Sequence, residues 1–432
     1  MAQGSAATSA DGAAGELSPL RIPDFRLYWL ARFSAVIATM AMVVIIGYQV
    51  YDVARDDYGM SVREASLQLG LVGLVQFVPL ALMTPVAGWL ADRMERRTVA
   101  RFANIIDMAV ALALGWFTWV DQLTLPILFL LAALHGVART FVGPAMAAIA
   151  PNIVPPAALP QAIALSSIAW QSGSVIGPAA GGFLYAADPA LTYWVAAALL
   201  AFATVALSFV RPVYPPPGAA RRHPLKEMAD GLAYTWRERF LLGAITLDLF
   251  AVLLGSAVAM LPVFARDILM VGTEGLGQLR AAPAVGAAVV ALWFAFRPLR
   301  HNVGVKMLWA VVIFGLGTIG FGLSRDFALS LAMLVLMGAA DMLSVYVRSS
   351  LVQLNTPDAM RGRVSAVSGL AISASNELGE MRCGAMAALI GPVAAVVSGG
   401  VAAIVVTALW AYSFPELRRA RTFEPQFRNP DP

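Results

Sequence analysis

Apolar residues run almost without interruption for about 20 positions at a time along this chain, separated by short polar stretches that hold most of its arginines. An α-helix rises 1.5 Å per residue, so about 20 such residues cross the roughly 30 Å hydrocarbon core of a bilayer. Twelve spans are predicted, near 27–54, 66–90, 98–120, 125–150, 161–186, 190–210, 240–265, 275–296, 304–324, 327–350, 363–390 and 392–413. Membrane strands would alternate polar and apolar positions, so unbroken runs exclude a β-barrel. The pattern predicts an all-α membrane protein of twelve transmembrane helices with both termini on one side. The longest polar interruption, Arg211 to Arg239, carries Pro215, Pro216 and Pro217 and then an amphipathic stretch, Leu225 to Trp236. It divides the chain into a six-helix half at 21–210, a linker at 211–239 and a second six-helix half at 240–414. Residues 1–20 read as a disordered cytosolic tail without the basic start of a signal peptide, and 415–432 as a second cytosolic tail.

Composition sharpens this. Of 432 residues, 59% are hydrophobic and 13% charged, against roughly 45–50% and 25% in soluble domains. A mean hydropathy of +0.73 over the whole length excludes a soluble globular protein. One cysteine, Cys383, leaves no disulfide framework or cysteine-based metal site. A net charge of +4 and a pI near 9.4 would suit a nucleic-acid binder, but the distribution of the charge explains it otherwise. With the termini inside, inner segments hold 21 of the 30 Lys and Arg and outer loops hold five, assigned as Arg55, Arg63, Arg266, Arg280 and Arg325. That asymmetry predicts cytoplasmic termini and no nucleic-acid partner.

An internal repeat points to the same two halves. Sliding the chain by 202 positions superposes Gly136 on Gly338, Pro155 on Pro357, Gly177 on Gly379 and Gly182 on Gly384, with no gap. Parallel repeats are how many secondary transporters are built. The same offset sets Arg139 opposite Asp341, both near mid-span.

Two motifs carry mechanism. Between the second and third spans stand Gly88, Asp92, Arg93, Glu95, Arg96 and Arg97. A glycine lets the helix end approach a neighbour, an aspartate can cap a helix terminus across the gap, and the arginines anchor the turn at an anionic inner leaflet. The fifth span carries Gly173, Gly177, Pro178, Gly181 and Gly182. Small residues at four-residue spacing allow backbone-to-backbone packing, and Pro178 removes a ladder bond and permits a bend.

At these residues the chain resembles the major facilitator superfamily. The first motif is similar to that family's loop between helices two and three, and the second to a Gly-x-x-x-Gly-Pro-x-x-Gly-Gly run associated there with exporters working as antiporters. The resemblance covers residues 20 to 415. Phe25 to Arg32, Leu247 to Phe250, Leu261-Pro262, Asp341, Arg348 and Thr356 to Ala366 are similar to the branch that contains siderophore exporters and macrolide efflux pumps. Glu95 stands where the superfamily usually has Gly, and the second-half copy of the loop, near Arg297 to Gly304, lacks the Asp. The resemblance implies export of a siderophore-like or drug-like molecule.

Buried ionisable residues are the candidates for coupling. A charge at the bilayer centre costs roughly 2.5–3.5 kcal/mol on insertion scales, yet Arg32, Asp107, Arg139, Asp248, Asp341, Glu377, Glu380 and Arg382 all fall within predicted spans. Carboxylates there that lack a partner can trade protons, as proton-coupled export requires. Each also has a plainer reading. Asp107 is expected as a salt-bridge partner of the nearby arginine cluster or as a proton relay. Arg32 can snorkel to the interface or face a cavity. Arg139 and Asp341 read as a structural or gating pair, or as coupling or substrate-contact residues. Asp248, Glu377 and Glu380 are expected to face a cavity, Glu377 and Glu380, three apart, sharing a helical face, while Arg382 is turned roughly 140° from Glu377 and should meet another helix. Arg348 reads as a cytoplasmic anchor. Gln76 and Gln171 are candidate substrate contacts, with helix-to-helix hydrogen bonding the commoner role. Trp29, Trp116, Trp119 and Trp410 fit an interfacial aromatic belt.

No phosphate-binding Gly-x-x-x-x-Gly-Lys-Ser/Thr loop is present, no soluble segment is large enough for catalysis, and His135, His223 and His301 show no metal spacing. The expectation is a cofactor-free secondary transporter of the bacterial inner membrane, moving a small-molecule substrate against protons, with the lipid bilayer as its solvent and nothing requiring more than a monomer. A lipid or lysolipid flippase, a solute importer of the same fold and a non-transporting membrane scaffold are the alternatives.

Overall fold

Among the described residues, twelve long helical segments stand where the apolar runs lie, together with an amphipathic helix between the sixth and seventh. The computed structural model describes residues 18–91, 93–214, 224–297, 299 and 301–423. Asp92, most of the amino-terminal tail, Pro215 to His223, Arg300 and the carboxy-terminal stretch from 424 onward lie outside the described residues. The helices are α1 (Pro23–Asp56), α2 (Val62–Ala91), α3 (Arg96–Trp119), α4 (Leu125–Ile153), α5 (Leu159–Ala187) and α6 (Leu191–Phe209). The amphipathic α7 (Pro224–Arg237) and α8 (Arg239–Gly255) follow. After α8 the chain continues through a 3-10 turn, the short α9 (Leu261–Val263) and a π-helical turn (Phe264–Ile268). Then come α10 (Gly272–Phe296), α11 (Val303–Leu323), α12 (Phe327–Leu354), α13 (Asp358–Ile390), α14 (Pro392–Ser413) and the short α15 (Pro415–Arg419).

Local chemistry sets many of the boundaries. Ser61 and Glu64 form a reciprocal capping box at the start of α2, the Ser61 amide donating to Glu64 at 2.8 Å and the Glu64 amide to Ser61 at 3.3 Å. Asp326 caps α12 by accepting from the Leu329 amide at 2.8 Å, and prolines open α4 and α14. Several helices outrun the predicted apolar windows, α1 by four residues at its start and α2 likewise, because a helix persists into the interface once its apolar stretch is fixed.

Among the described residues, ten of the helical segments are long and apolar enough to cross a membrane. The other two, α5 and α13, are 29 and 33 residues long, but their glycines, prolines and charges dilute their hydropathy. They are bundle-interior helices, α5 packed on α1 and α10 and α13 on α2 and α8. Large apolar side chains such as Phe209, Trp119, Phe296 and Tyr412 point outward, the inside-out arrangement of a chain whose solvent is lipid.

One apolar core joins α1–α6 to residues of the later helices near one end of the bundle, including Met260, Phe264, Leu276, Phe321 and Cys383. A second core, around Phe240, Val303, Val347 and Leu417, lies at the other end among α8, α11, α12, α13 and α15 and does not reach α1–α6. The helices of the two halves of the sequence are thus packed together at the end carrying the α1–α2 loop, termed here the sealed end. They diverge at the arginine-rich end, which carries the α2–α3 loop.

Glycines make the sealed-end contact. At Gly384 an added Cβ would sit 2.5 Å from Gly70 Cα on α2, and at Gly182 one would sit 3.0 Å from Gly277 Cα on α10. These two glycines are 202 positions apart, and each touches a helix of the opposite half. Gly177 and Gly379, also 202 apart, meet α1 and α8 respectively, and Gly136 and Gly338 meet α2 and α10. The glycines that match in sequence make matching helix contacts.

Candidate functional site

A cavity of about 320 Å³ lies in the middle of the bundle, walled by α1, α2 and α4 on one side and by α9, α10, α13 and the 3-10 turn on the other. Apolar side chains such as Val43, Val44, Leu69, Val72, Leu261 and Leu276 form much of it, and Gln76, Arg139, Arg280, Asn376, Glu377 and Glu380 supply the polar groups. A second space of about 540 Å³ shares Leu80, Arg139 and Ser373 with the first and extends past Gly88, Gly143, Gly362 and Arg363 to the arginine-rich end. Together they form a pathway from that end to the bundle centre. The α7 helix stands at its mouth: Glu227 and Met228 line it, and Asp230 reaches Arg363 of α13 at 3.9 Å.

The floor of the pathway is a charged contact between helices distant in sequence. Arg139 of α4 donates to Gln76 of α2 at 2.8 Å and lies 3.5 Å from Glu377 of α13. Glu380 lines the cavity one turn further along α13, beside Gly73 of α2, whose missing side chain makes the room: a Cβ there would lie 3.0 Å from that of Glu380. Arg280 enters from α10 and lies in the electrostatic field of Glu380, Glu377 and Arg139. The outer-loop assignment of Arg280 is corrected accordingly: α10 begins at Gly272, so position 280 is two turns inside the helix. The shared face expected of Glu377 and Glu380 is present.

Other charges lie away from this cavity. Asp107 of α3 meets His135 Nδ1 of α4 at 2.6 Å and accepts from Thr39 of α1 at 3.3 Å, tying three helices. It therefore pairs with a buried histidine and not with the arginine cluster, and His135, to which the sequence assigned nothing, is its partner. Arg348 is 2% exposed and bonds Asp248 of α8 at 3.2 Å, which replaces the expected anchor by a buried ion pair and puts Asp248 outside the central cavity it was expected to face. Asp341 shares a small pocket with Asp248 and Ser344 among α8, α11 and α12. Arg139 and Asp341 are thus not a pair, although the repeat makes them equivalent. Arg32 donates to the Tyr28 hydroxyl at 3.1 Å, and Tyr28 donates to the Met146 carbonyl at 3.0 Å. Neither Arg32 nor Gln171 lines the pathway. Arg382 abuts Gly399 of α14, as its rotation from Glu377 predicted, with Nε and Nη2 lacking hydrogen-bond partners among the described residues. Trp29 donates to the Leu165 carbonyl at 2.8 Å and Trp410 to Thr246 at 2.9 Å, so both are helix-to-helix contacts as well.

The two motifs occupy opposite roles. Gly88 faces the vestibule with nothing within 4 Å of a built Cβ, so the close approach it allows is not made in this conformation. Arg93 stacks over Trp89 at 4.6 Å. Arg96 donates to the Ala148 carbonyl at 3.0 Å, and Arg97 joins Glu95 at 2.8 Å and the carbonyl of Val210 at 2.5 Å. Glu95 also accepts from Thr98 and from the Val213 amide, so it fastens the start of α3 to the end of α6. In α5, Gly173 meets Val36, Gly177 meets Ile37 and Met40, and Gly181 meets Ala41, all on α1, while Gly182 and the Pro178 carbonyl meet α10 at Gly277.

The sealed end has an ionic network that sequence reasoning missed. Arg266, in the π-helical turn, bonds Asp52 at 2.5 Å and Asp56 at 2.6 Å on α1. The Tyr51 hydroxyl donates to Asp267 at 2.5 Å, and Arg55 lies 3.8 Å from the same carboxylate. Arg55 and Arg266 had counted only as outer-loop charge. A usable signal was the run Tyr51, Asp52, Arg55, Asp56, whose i, i+4 spacing lays a charged face on the last turn of α1. Among the described residues no cluster of three or more metal-ligating side chains occurs.

Comparison with known proteins agrees with this architecture. The sequence model of the Major Facilitator Superfamily matches residues 28–380. The chain is 29% identical over 406 residues to the enterobactin exporter EntS of Escherichia coli O1:K1, covering 94% of this chain and 95% of that one. To the same exporter of Shigella boydii serotype 18 it is 28% identical over 404 residues, with 94% and 95% covered. Among solved structures, a bacterial homolog of the human lysosomal transporter Spinster, inward-facing and occupied, superposes with a TM-score of 0.69 at 17% identity, covering 94% of this chain and 98% of that one. A peptide transporter of the POT family in complex with sulfate gives 0.73 at 13% identity over 94% and 100%.

Proposed function

Because this chain belongs to the major facilitator superfamily and is a membrane transporter rather than an enzyme, we propose that it exports an amphipathic small molecule across the bacterial inner membrane in exchange for protons. The observation that carries this reading is the Arg139–Glu377 contact at the floor of a pathway open at one end only. It joins α4 of the first half to α13 of the second at the point where alternating access must sense the substrate. Residues 21–210 and 240–414 act as the two rocking halves, the α7 linker connects them, and the repeated glycines at the sealed end are the surfaces on which they close. The arginine-rich end is cytoplasmic on the positive-inside asymmetry, so the conformation described faces inward, ready to load.

Export and a siderophore-like or drug-like substrate follow the relatives, which are enterobactin exporters along nearly their whole length. Proton exchange is assigned to Glu377 and Glu380 in the cavity, with Asp248 and Asp341 as a second acidic pair in the core of the second half. Gly88, Asp92, Arg93, Arg96 and Arg97 form the inner gate that closes when the sealed end opens, and Gly173 to Gly182 form the hinge of the first half. The protein works as a monomer in this scheme.

The test is substrate-driven proton flux in proteoliposomes, screened against siderophores, macrolides, lysolipids and amphipathic cations, with wild type beside Glu377→Gln. Flux that appears with one class and disappears in the variant supports the reading. Substrate movement without proton flux would replace antiport by a uniporter or flippase. Uptake driven toward the cytoplasmic side would reverse the direction.

A further inference from the structure

The contact of Arg139 with Glu377 leaves two charged side chains of the same cavity without a partner. Arg280 on α10 and Glu380 on α13 each line the cavity, and each lies in the other's field, but among the described residues neither makes a hydrogen bond or an ion pair. We propose that the substrate is a zwitterionic amphiphile, whose anionic group is held by Arg280 and whose cationic group is held by Glu380. This deepens the transport reading of the same cavity and rests on it.

Charge and geometry select this class. A guanidinium presents five donors in a rigid fork that matches a carboxylate or phosphate, and away from water it is destabilised until such a partner arrives. The walls near Arg280 are apolar, with Leu276 on its own helix and Leu69, Val72 and Leu261 across the cavity. A guest bearing only a cation would meet Glu380 favourably but be opposed by Arg280 and Arg139. A guest bearing only an anion would be opposed by Glu380 and Glu377 and would bind best with a proton on them. Proton and guest would then travel together, the reverse of exchange. A guest with both charges satisfies Arg280 and Glu380 at once, and its cation takes the proton's place on Glu380, so arrival of one expels the other. The titratable groups facing Glu380 are Glu377, Arg280 and Arg139, and of these only Arg139 and Glu377 are in contact with each other. The apolar wall and the wider vestibule accommodate the remainder of the molecule.

The experiment is equilibrium binding by calorimetry to the full chain in lipid nanodiscs with no gradient, so that failure of the export or coupling reading leaves it unaffected. Four probes share one scaffold: phenylalanyl-phenylalanine, its amide with only the cation, its N-acetyl form with only the anion, and its neutral N-acetyl amide. Removing either charge is expected to weaken binding by about tenfold or more. Arg280→Gln should abolish the advantage of the dipeptide over its amide, Glu380→Gln its advantage over the N-acetyl form, and Arg280→Lys should restore part of the first. Arg325→Gln, in the α11–α12 loop and outside both spaces of the pathway, should change nothing. The wild-type series alone decides the matter if a variant fails to fold. A singly charged or neutral probe binding as well as the dipeptide overturns the proposal, as does no binding of the dipeptide. So does wild-type affinity in the doubly neutral Arg280→Gln, Glu380→Gln protein, which would mean that the two charges serve only to balance each other.

Discussion

Adding one methyl group at Gly384 should drive the transporter out of the conformation described. The Cβ of Gly384→Ala would sit 2.5 Å from Gly70 Cα, 2.6 Å from Gly70 N and 2.7 Å from the Ser66 carbonyl oxygen. All three are backbone atoms of α2 and cannot rotate aside. Ordinary contact for such atoms begins near ~3.5 Å, so α2 and α13 must separate by about 1 Å, and overpacking of this kind costs roughly 1–3 kcal/mol. The same Ala gains about 1 kcal/mol in helix propensity over Gly, but in both conformations, so that gain cancels. If the sealed end parts when the arginine-rich end closes, the overpacking falls on one state only, and the ratio of states moves by a factor of roughly 5 to 150. The assay is double electron–electron resonance on labels at Tyr58 and Met270, which are 48% and 81% exposed near the sealed end, and at Met94 and Leu354 near the other. Cys383 is fully buried, so the native thiol should not compete for label. The sealed-end distance should lengthen and the other shorten together. Distances unchanged in a folded variant, or lengthened at both ends, would refute the reasoning, and Gly143→Ala, with nothing within 4 Å of its built Cβ, supplies the control.

Arg266→Ala removes both ion pairs to α1; partly exposed pairs are worth at most about 1 kcal/mol each, so the same labels should report a several-fold shift toward opening, smaller in high salt. Arg348→Ala strands the carboxylate of Asp248 in the core and should lower stability by about 3–5 kcal/mol, read as a thermal unfolding midpoint, whereas Asp248→Asn should be milder because the buried charge it leaves belongs to a longer side chain able to reach Ser368. His135→Ala leaves Asp107 without its 2.6 Å partner and opens a void; a loss of about 2–4 kcal/mol is expected, with transport per folded molecule retained. A transport defect at full stability would instead put Asp107 in the coupling path.

Which residues are partners could not be read from the chain. Asp107 and His135 are 28 positions apart, Arg139 and Gln76 are 63 apart, and the Arg266 partners on α1 lie more than 200 positions back. Each pair depends on the rotation of one helix against another, which no periodicity within a single helix reports. The repeat made Arg139 and Asp341 equivalent, and equivalence under a pseudo-twofold places two residues in corresponding halves, not in contact. Arg280 was counted with the outer loop although the predicted span 275–296 already contained it, because a charge near the start of an apolar run reads as loop until a buried partner is known; α10 in fact starts at Gly272.

The sequence by itself determined the helices, their order and which glycines of the two halves correspond. Backbone groups in lipid must bond within their own segment, so twenty apolar residues in a row have only one regular solution, and a glycine at 177, 182, 379 or 384 is tolerated where two backbones meet. Tertiary structure alone decided which charges neutralise one another, which stand free in the central cavity, and which end of the bundle is closed. Those outcomes depend on how α2, α4, α10 and α13 are turned and tilted at their crossings, a balance of packing and electrostatics summed over the whole bundle.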